Sequence, residues 1–159
     1  MKKTNKAAII SWLLVVINAS ALFYASSQPA PKSKELSQKA TNLVMLTIDN
    51  VYADSNFQIN QNDLHNKVRK SAHYFLYLSL GILVADALKK NKKEHIANAL
   101  LICIAYSIID ETHQYFVPGR GPELNDVLID TAGASSGILL YSIKEQTKKL
   151  TIAKKLKKH

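Results

Sequence analysis

Four stretches almost free of charge, separated by strongly charged linkers, decide most of what this chain can become. Residues 7–26 (AAIISWLLVVINASALFYAS) carry no charge and follow Lys2, Lys3 and Lys6. Residues 71–88 hold one acid, Asp86, near the end; residues 96–109 hold none and lead into Asp110; residues 127–143 hold only Asp130. A helix needs about 20 predominantly apolar residues to cross the hydrocarbon core of a bilayer. The first, second and fourth stretches reach or nearly reach that length, and the third does so if its polar continuation through Gln114 completes the crossing. The pattern predicts an all-α polytopic membrane protein. It is a small bundle of about four transmembrane helices over residues 7–26, 71–88, 96–114 and 124–143, forming one domain over residues 1–143. A soluble bundle of four buried helices is the alternative, and the uncharged first stretch weighs against it. The hydrophobic fraction of 47 % is ordinary for a soluble protein, so clumping carries the prediction.

Charge gives the orientation. Lys and Arg number 21 against 12 Asp and Glu, a formal net charge of +9. Lys2, Lys3, Lys6, the four lysines of 89–93, and Lys144, Lys148, Lys149, Lys154, Lys155, Lys157 and Lys158 fall on one side of the predicted bundle. The other side has half as many, at Lys32, Lys34, Lys39, Lys67, Arg69, Lys70 and Arg120, over longer loops. Short cytoplasmic loops are Lys/Arg-rich, so both termini are expected in the cytoplasm of a multi-pass protein of a bacterial plasma membrane. Residues 144–159 then form a basic cytoplasmic tail drawn to anionic inner-leaflet lipids. The tail lacks the interleaved aromatics of a single-strand-binding surface, and no nucleic-acid partner is expected. The first stretch has the basic start of a signal peptide. It is long for such an apolar region and Ser26-Ser27-Gln28-Pro29 is a poor cleavage site, so it is expected to be retained. The single Cys103 excludes an intramolecular disulfide and reads as a small packing residue.

On the outer side, Gln28-Pro29-Ala30-Pro31 ends the first helix and starts a turn. Leu36, Ala40, Leu43, Val44, Thr47, Ile48 and Val51 then recur with helical spacing, which predicts an amphipathic helix over 33–53 lying on the bundle or in the interface. Asp54–Asn62 reads as a polar loop, and the next helix is expected to begin near Asp63. The second outer loop, Val117–Pro122, carries a Pro-Gly turn signal. Pro122, Glu123 and Asp126 suit the first turn of a following helix. Gly133 and Gly137 form a GxxxG pair, read as close helix packing within the bundle.

The polar residues of the predicted spans are placed selectively. Lys70, His73 and Tyr77 are spaced i, i+3, i+7 and share one helix face; Asp110, His113 and Gln114 share another, with Glu111 beside it; Asp126 and Asp130 are one turn apart. Under the topology above, all three faces lie at the outer end of the bundle, with Arg120 in the adjacent loop. Ionisable groups within a span cost about 2.5–3.5 kcal/mol each and tend to face inward, pair and mark function. Asp130, two turns inside its helix, has Arg120, His73 and Lys70 as candidate partners. An ion-pair network that merely holds the helices together is the bland alternative for each residue. It accounts less well for two histidines and four carboxylates at one end.

The string Asp110-Glu111-Thr112-His113-Gln114-Tyr115-Phe116-Val117-Pro118-Gly119-Arg120, with Asp126-Val127-Leu128-Ile129-Asp130 and Gly133, resembles the signature of the VanZ-like family. Lys70-Ser71-Ala72-His73-Tyr74-Phe75-Leu76-Tyr77 is similar to a second motif of that family, and Tyr24–Pro29 to its N-terminal pattern. The resemblance runs from about residue 10 to 143. It implies an integral membrane protein related to one linked to low-level resistance to the glycopeptide teicoplanin, and it supplies no reaction. The family often has Asn where Asp130 stands, so an ionised role there is not compulsory.

Three functions compete. In the first, the site binds or handles a phospholipid or lipid-linked cell-envelope precursor at the outer leaflet. Lys70 and Arg120 hold its phosphate, and Asp110, Glu111 and Asp130 orient those cations or accept a headgroup amine; His73, Tyr77, His113, Gln114 and Asp126 complete the ligand-binding set. In the second, the protein is an intramembrane hydrolase or transferase with His73 or His113 as acid–base and Asp110 and Glu111 orienting it or holding a divalent metal. No HExxH or nucleophile-elbow pattern supports that chemistry, and the sequence assigns neither a metal ligand set nor a cofactor. In the third, the cluster is a structural ion-pair network without a ligand.

Overall fold

A computed structural model of the chain describes residues 2–51, 61–89 and 94–156. These form five helices: α1 (Lys2–Ser26), α2 (Ala30–Val51), α3 (Gln61–Ala87), α4 (Glu94–Gln114) and α5 (Leu124–Leu156). The described residues contain no strand. The four apolar stretches fall within α1, α3, α4 and α5, and the predicted amphipathic segment is α2. Most of the apolar stripe expected on α2 involves side chains outside the described residues. Of its other positions, Ala40 is exposed, whereas Thr41 beside it is buried. The polar loop expected around Asp54–Asn62 falls largely on residues 52–60, and Lys90, Lys92 and Lys93 on 90–93, all outside the described residues.

The α3–α5 pair is the centre of the bundle. Its contact is made by glycine: a Cβ on Gly133 would strike the Tyr74 carbonyl, one on Gly137 the Leu78 carbonyl, and one on Gly81 the Ala134 carbonyl. Small residues on both sides let the two backbones touch, and dispersion and packing follow from that approach. The buried faces have helical periodicity, with Tyr77, Leu80, Val84 and Ala85 on α3, Ala99 and Cys103 on α4, and Ala134, Ile138 and Tyr141 on α5.

α1 lies along α3 and α4 and is pinned at intervals. Ser11 Oγ donates to Asp86 (2.7 Å), Asn18 Nδ2 to Ser79 Oγ, Tyr106 Oη to the Ala19 carbonyl (2.6 Å) and Ser26 Oγ to Asp110 (2.6 Å). These contacts fix an alternating arrangement. The start of α1, the end of α3 and the C-terminal half of α5 meet around Asp86, to which Tyr141 also donates. The end of α1, the start of α3, the end of α4 and the start of α5 meet at the opposite end.

By length and hydropathy, α1 is the one helix among the described residues that qualifies as a membrane span, over Lys6–Ser26 with a mean hydropathy of 2.0. The four-span count is therefore not established by hydropathy, because polar and ionisable residues interrupt the other three apolar runs. Of residues 144–159, expected as a basic tail, residues 144–156 continue α5, which runs unbroken for 33 residues to Leu156. Lys144 to Lys155 thus extend the last helix.

Candidate functional site

The site forms where the buried faces of three helices change from apolar to polar. On α4 the inward stripe runs Ala99, Cys103, Ser107, Asp110 and Gln114; on α5 it runs back from Tyr141 through Ala134 to Asp130; on α3 it runs back from Tyr77 to His73, one turn earlier. The helical periodicity that builds the core therefore delivers two carboxylates and an imidazole to one point. Asp110 and Asp130 are 1 % and 2 % exposed, which makes them core residues despite their charge.

Lys70 and His73 from α3, Gln114 and Arg120 from the end of α4 and its loop, and Asp126 and Asp130 from α5 line one cleft with Arg69. Its central void is about 10 Å³, room for one water-sized species. Lys70 Nζ lies 2.8 Å from both Glu123 Oε2 and Asp126 Oδ1, and Arg69 is 3.8 Å from Asp126. The two acids hold the Lys70 ammonium above the ordinary lysine value, Asp126 contributing most. His73 Nδ1 is 3.7 Å from Asp130 Oδ1, and Ser107 Oγ donates to Asp130 Oδ2 at 3.1 Å. Asp110 Oδ2 accepts from Ser26 Oγ and, at 3.5 Å, from Gln114 Nε2.

Arg120 acts as a fork. Its Nη1 donates to the Ser26 carbonyl (3.0 Å) and Gln114 Oε1 (3.3 Å), and its Nη2 to Ser33 Oγ (2.6 Å). It thereby joins the end of α1, the start of α2 and the end of α4. Burial, followed by repulsion from Arg69, lowers its pKa from the usual arginine value, and guanidinium still remains protonated at neutral pH. The loop presenting it turns at Gly119, whose φ of 77° is a left-handed conformation that glycine adopts without strain.

The candidate partners of Asp130 sort out accordingly. His73 is beside it, Lys70 is bound to Glu123 and Asp126, and Arg120 is bound to neutral acceptors. Tyr77 is fully buried, with its hydroxyl in the field of Asp110 and Asp130. Glu111 is buried and accepts the Glu123 amide hydrogen, so it caps the start of α5. His113 does not line the cleft; its ring stacks on Phe23 of α1 at 4.5 Å.

Sequence reasoning missed Arg69, Ser26, Ser33, Ser107 and Glu123 as site members. Arg69 precedes His73 by four residues and Ser107 precedes Asp110 by three, so helical spacing carried a signal for both. Ser26 and Ser33 depend on how α1 and α2 dock, for which local spacing has no signal.

Neither the curated proteins nor the solved structures include a match to this chain. A family model described as VanZ/LLP1 matches residues 11–145, most of the sequence, and includes every residue that lines the cleft. The chain belongs to the VanZ-like family.

Proposed function

We propose that this protein is a multi-spanning membrane protein that holds the anionic headgroup of a phospholipid or lipid-linked cell-envelope precursor at the extracytoplasmic rim of its bundle, and that it thereby alters glycopeptide susceptibility. The observation that carries this reading is an adjoining pair of surfaces. The cleft that Arg69, Lys70 and Arg120 line together with Asp126 and Asp130 shares Lys70 and Ile129 with an open groove formed by Tyr74 and Phe75 on α3. Positive charge beside an apolar trough suits a molecule with a phosphate and a hydrocarbon chain. Because the void is small, the phosphate is held at its mouth, within reach of Lys70, and the chain lies along the groove.

Exposed apolar side chains support a membrane location for α1, α3, α4 and α5. Ile17 on α1 is 64 % exposed, and Phe75 on α3, Leu101 and Ile109 on α4, and Leu128 and Leu139 on α5 are also exposed. Surface of that kind on every helix of a small bundle suits lipid contact. The polar contacts spaced along α1 support its retention as part of the bundle.

Binding of a polyprenyl phosphate and of the matching polyprenol to purified protein in detergent tests the reading. The phosphate is expected to bind at least about tenfold more tightly, a difference of about 1.4 kcal/mol, and Lys70→Gln combined with Arg69→Gln is expected to remove the preference. The same double variant, expressed in a teicoplanin-susceptible host, is expected to lose any tolerance the wild-type protein confers. Equal binding of both lipids, or a preference that survives the double substitution, overturns the reading.

A further inference from the structure

The buried polar atoms without a hydrogen-bond partner include a group in and beneath the same cleft. His73, Asp110 and Asp130 each offer a donor atom, and the three atoms lie within 4.8 Å of one another. Both carboxylates are almost completely buried, and each uses one oxygen: Asp110 Oδ2 accepts from Ser26 and Gln114, and Asp130 Oδ2 from Ser107. Asp110 Oδ1 and Asp130 Oδ1 are buried without a hydrogen-bond partner. Asp86 at the other end of the bundle makes a useful contrast. Its two oxygens receive Ser11, Lys89 and Tyr141.

Charge points the same way. Among the described residues, no lysine or arginine lies within ion-pair distance of Asp110 or Asp130. Lys70 is committed to Glu123 and Asp126, and Arg120 to neutral acceptors. Two buried carboxylates with no lysine or arginine in direct contact are costly unless something neutralises them.

We propose that His73, Asp110 and Asp130 form a binding site for one divalent cation, with the Tyr77 hydroxyl as a neighbouring oxygen. An imidazole nitrogen with two carboxylate oxygens selects zinc or manganese over calcium and magnesium, which take all-oxygen sets. Bonds of about 2.0–2.2 Å require the donors to close by roughly 1 Å, a side-chain adjustment. Ser26, Ser107 and Gln114 orient the carboxylates from behind, as groups around a metal site do. The void beside His73 and Asp130 leaves room for a water to complete the coordination. The proposal does not rest on the lipid reading, since it uses deeper residues and neither Lys70 nor Arg69.

The test uses full-length protein in detergent, freed of any purification tag and stripped with EDTA. After exposure to Zn²⁺ or Mn²⁺ and removal of free ion, elemental analysis is expected to find about one equivalent per chain. Asp110→Asn and His73→Gln are each expected to weaken binding by at least about tenfold, while Glu145→Gln, at the opposite end, leaves it unchanged. Co²⁺ loading supplies a second readout, a visible absorption band that disappears in His73→Gln. Circular dichroism and gel filtration identify any variant that fails to fold, and the His73 and Asp110 variants are judged separately. Wild-type protein that retains neither metal, or folded variants that retain as much as wild type, overturns the proposal.

Discussion

Arg120 and Lys70 are both cations of the same cleft, and their surroundings assign them different work. Arg120 reaches three neutral acceptors on three different segments. A lysine offers no planar fork, so Arg120→Lys leaves some of these acceptors unmet. The expected loss is about 1–3 kcal/mol, read as a lower unfolding temperature in detergent. Lys70→Gln breaks ion pairs that are partly open to solvent, for which the expected loss is only about 0–1 kcal/mol. The pairs around Lys70 also have a predictable pH dependence. Its folded pKa is raised above the unfolded one, so their contribution is fully present below about pH 10 and fades as pH rises through the folded value. Stability differences between wild type and Lys70→Gln are therefore expected to be flat from neutral to mildly alkaline pH. A marked change near neutrality would contradict the assignment. These roles were only partly legible beforehand. Helical spacing placed Lys70, His73, Asp110 and Asp130 at one end, because ionisable residues on apolar helices stand out. Which cation meets which acid depends on the rotation of each helix and the path of the 115–123 loop: of the three candidate partners of Asp130, His73 stands beside it, while Arg120 meets Ser26, Ser33 and Gln114.

Among the elements, the α3–α5 contact is the one on which the bundle most depends. Helix propensity alone favours Ala over Gly by about 1 kcal/mol in a helix interior, so Gly137→Ala would stabilise an isolated α5. In the bundle the added methyl meets the Leu78 carbonyl and the Ile82 amide, which are backbone atoms unable to rotate away. Overpacking of this kind costs about 1–3 kcal/mol or more, so steric conflict outweighs propensity. Gly137→Ala is expected to lower the unfolding temperature, whereas Gly121→Ala, with nothing within 4 Å of the added carbon, stays within about 0.5 kcal/mol of wild type. Equal behaviour of the two variants would show that α3 and α5 do not touch as described. The GxxxG spacing of Gly133 and Gly137 announced this contact in the sequence. Gly81 gave no such sign, because a lone glycine in an apolar run acquires meaning only from the partner opposite it. Helix positions were legible for the same reason as the core, since long apolar runs bounded by Pro, Gly and charge have few alternatives. The continuation of α5 past Ile143 was less legible, because Lys-rich sequence suits a solvated helix as readily as a loose tail.

Among the described residues, the alternating helices bring Lys6, Lys89 and Lys144 to one end and the cleft to the other. This arrangement gives physical force to the charge asymmetry. The retention of Lys and Arg on the cytoplasmic side would place Lys6, Lys89 and Lys144 inside and Arg120 outside. α5, about 50 Å long at 1.5 Å per residue, exceeds the roughly 30 Å hydrocarbon core, so its basic C-terminal half would stand in the cytoplasm near anionic headgroups. Single cysteines in a Cys103→Ser background read this directly, since Cys103 is buried and the replacement is small. Gly121 is a better outer position than Gly119, where positive φ and contact with Ala30 resist a side chain; Lys149, exposed on the extension of α5, is the inner one. In intact cells an impermeant maleimide is expected to label Gly121→Cys and leave Lys149→Cys unlabelled until the membrane is opened. The reverse pattern would turn the cleft toward the cytoplasm and with it exclude an envelope precursor in the outer leaflet as its ligand. Labelling of both positions in intact cells would show that the ends of the bundle are not on opposite sides of a membrane, and the apolar surfaces of α1, α3, α4 and α5 would then need a protein partner in place of lipid.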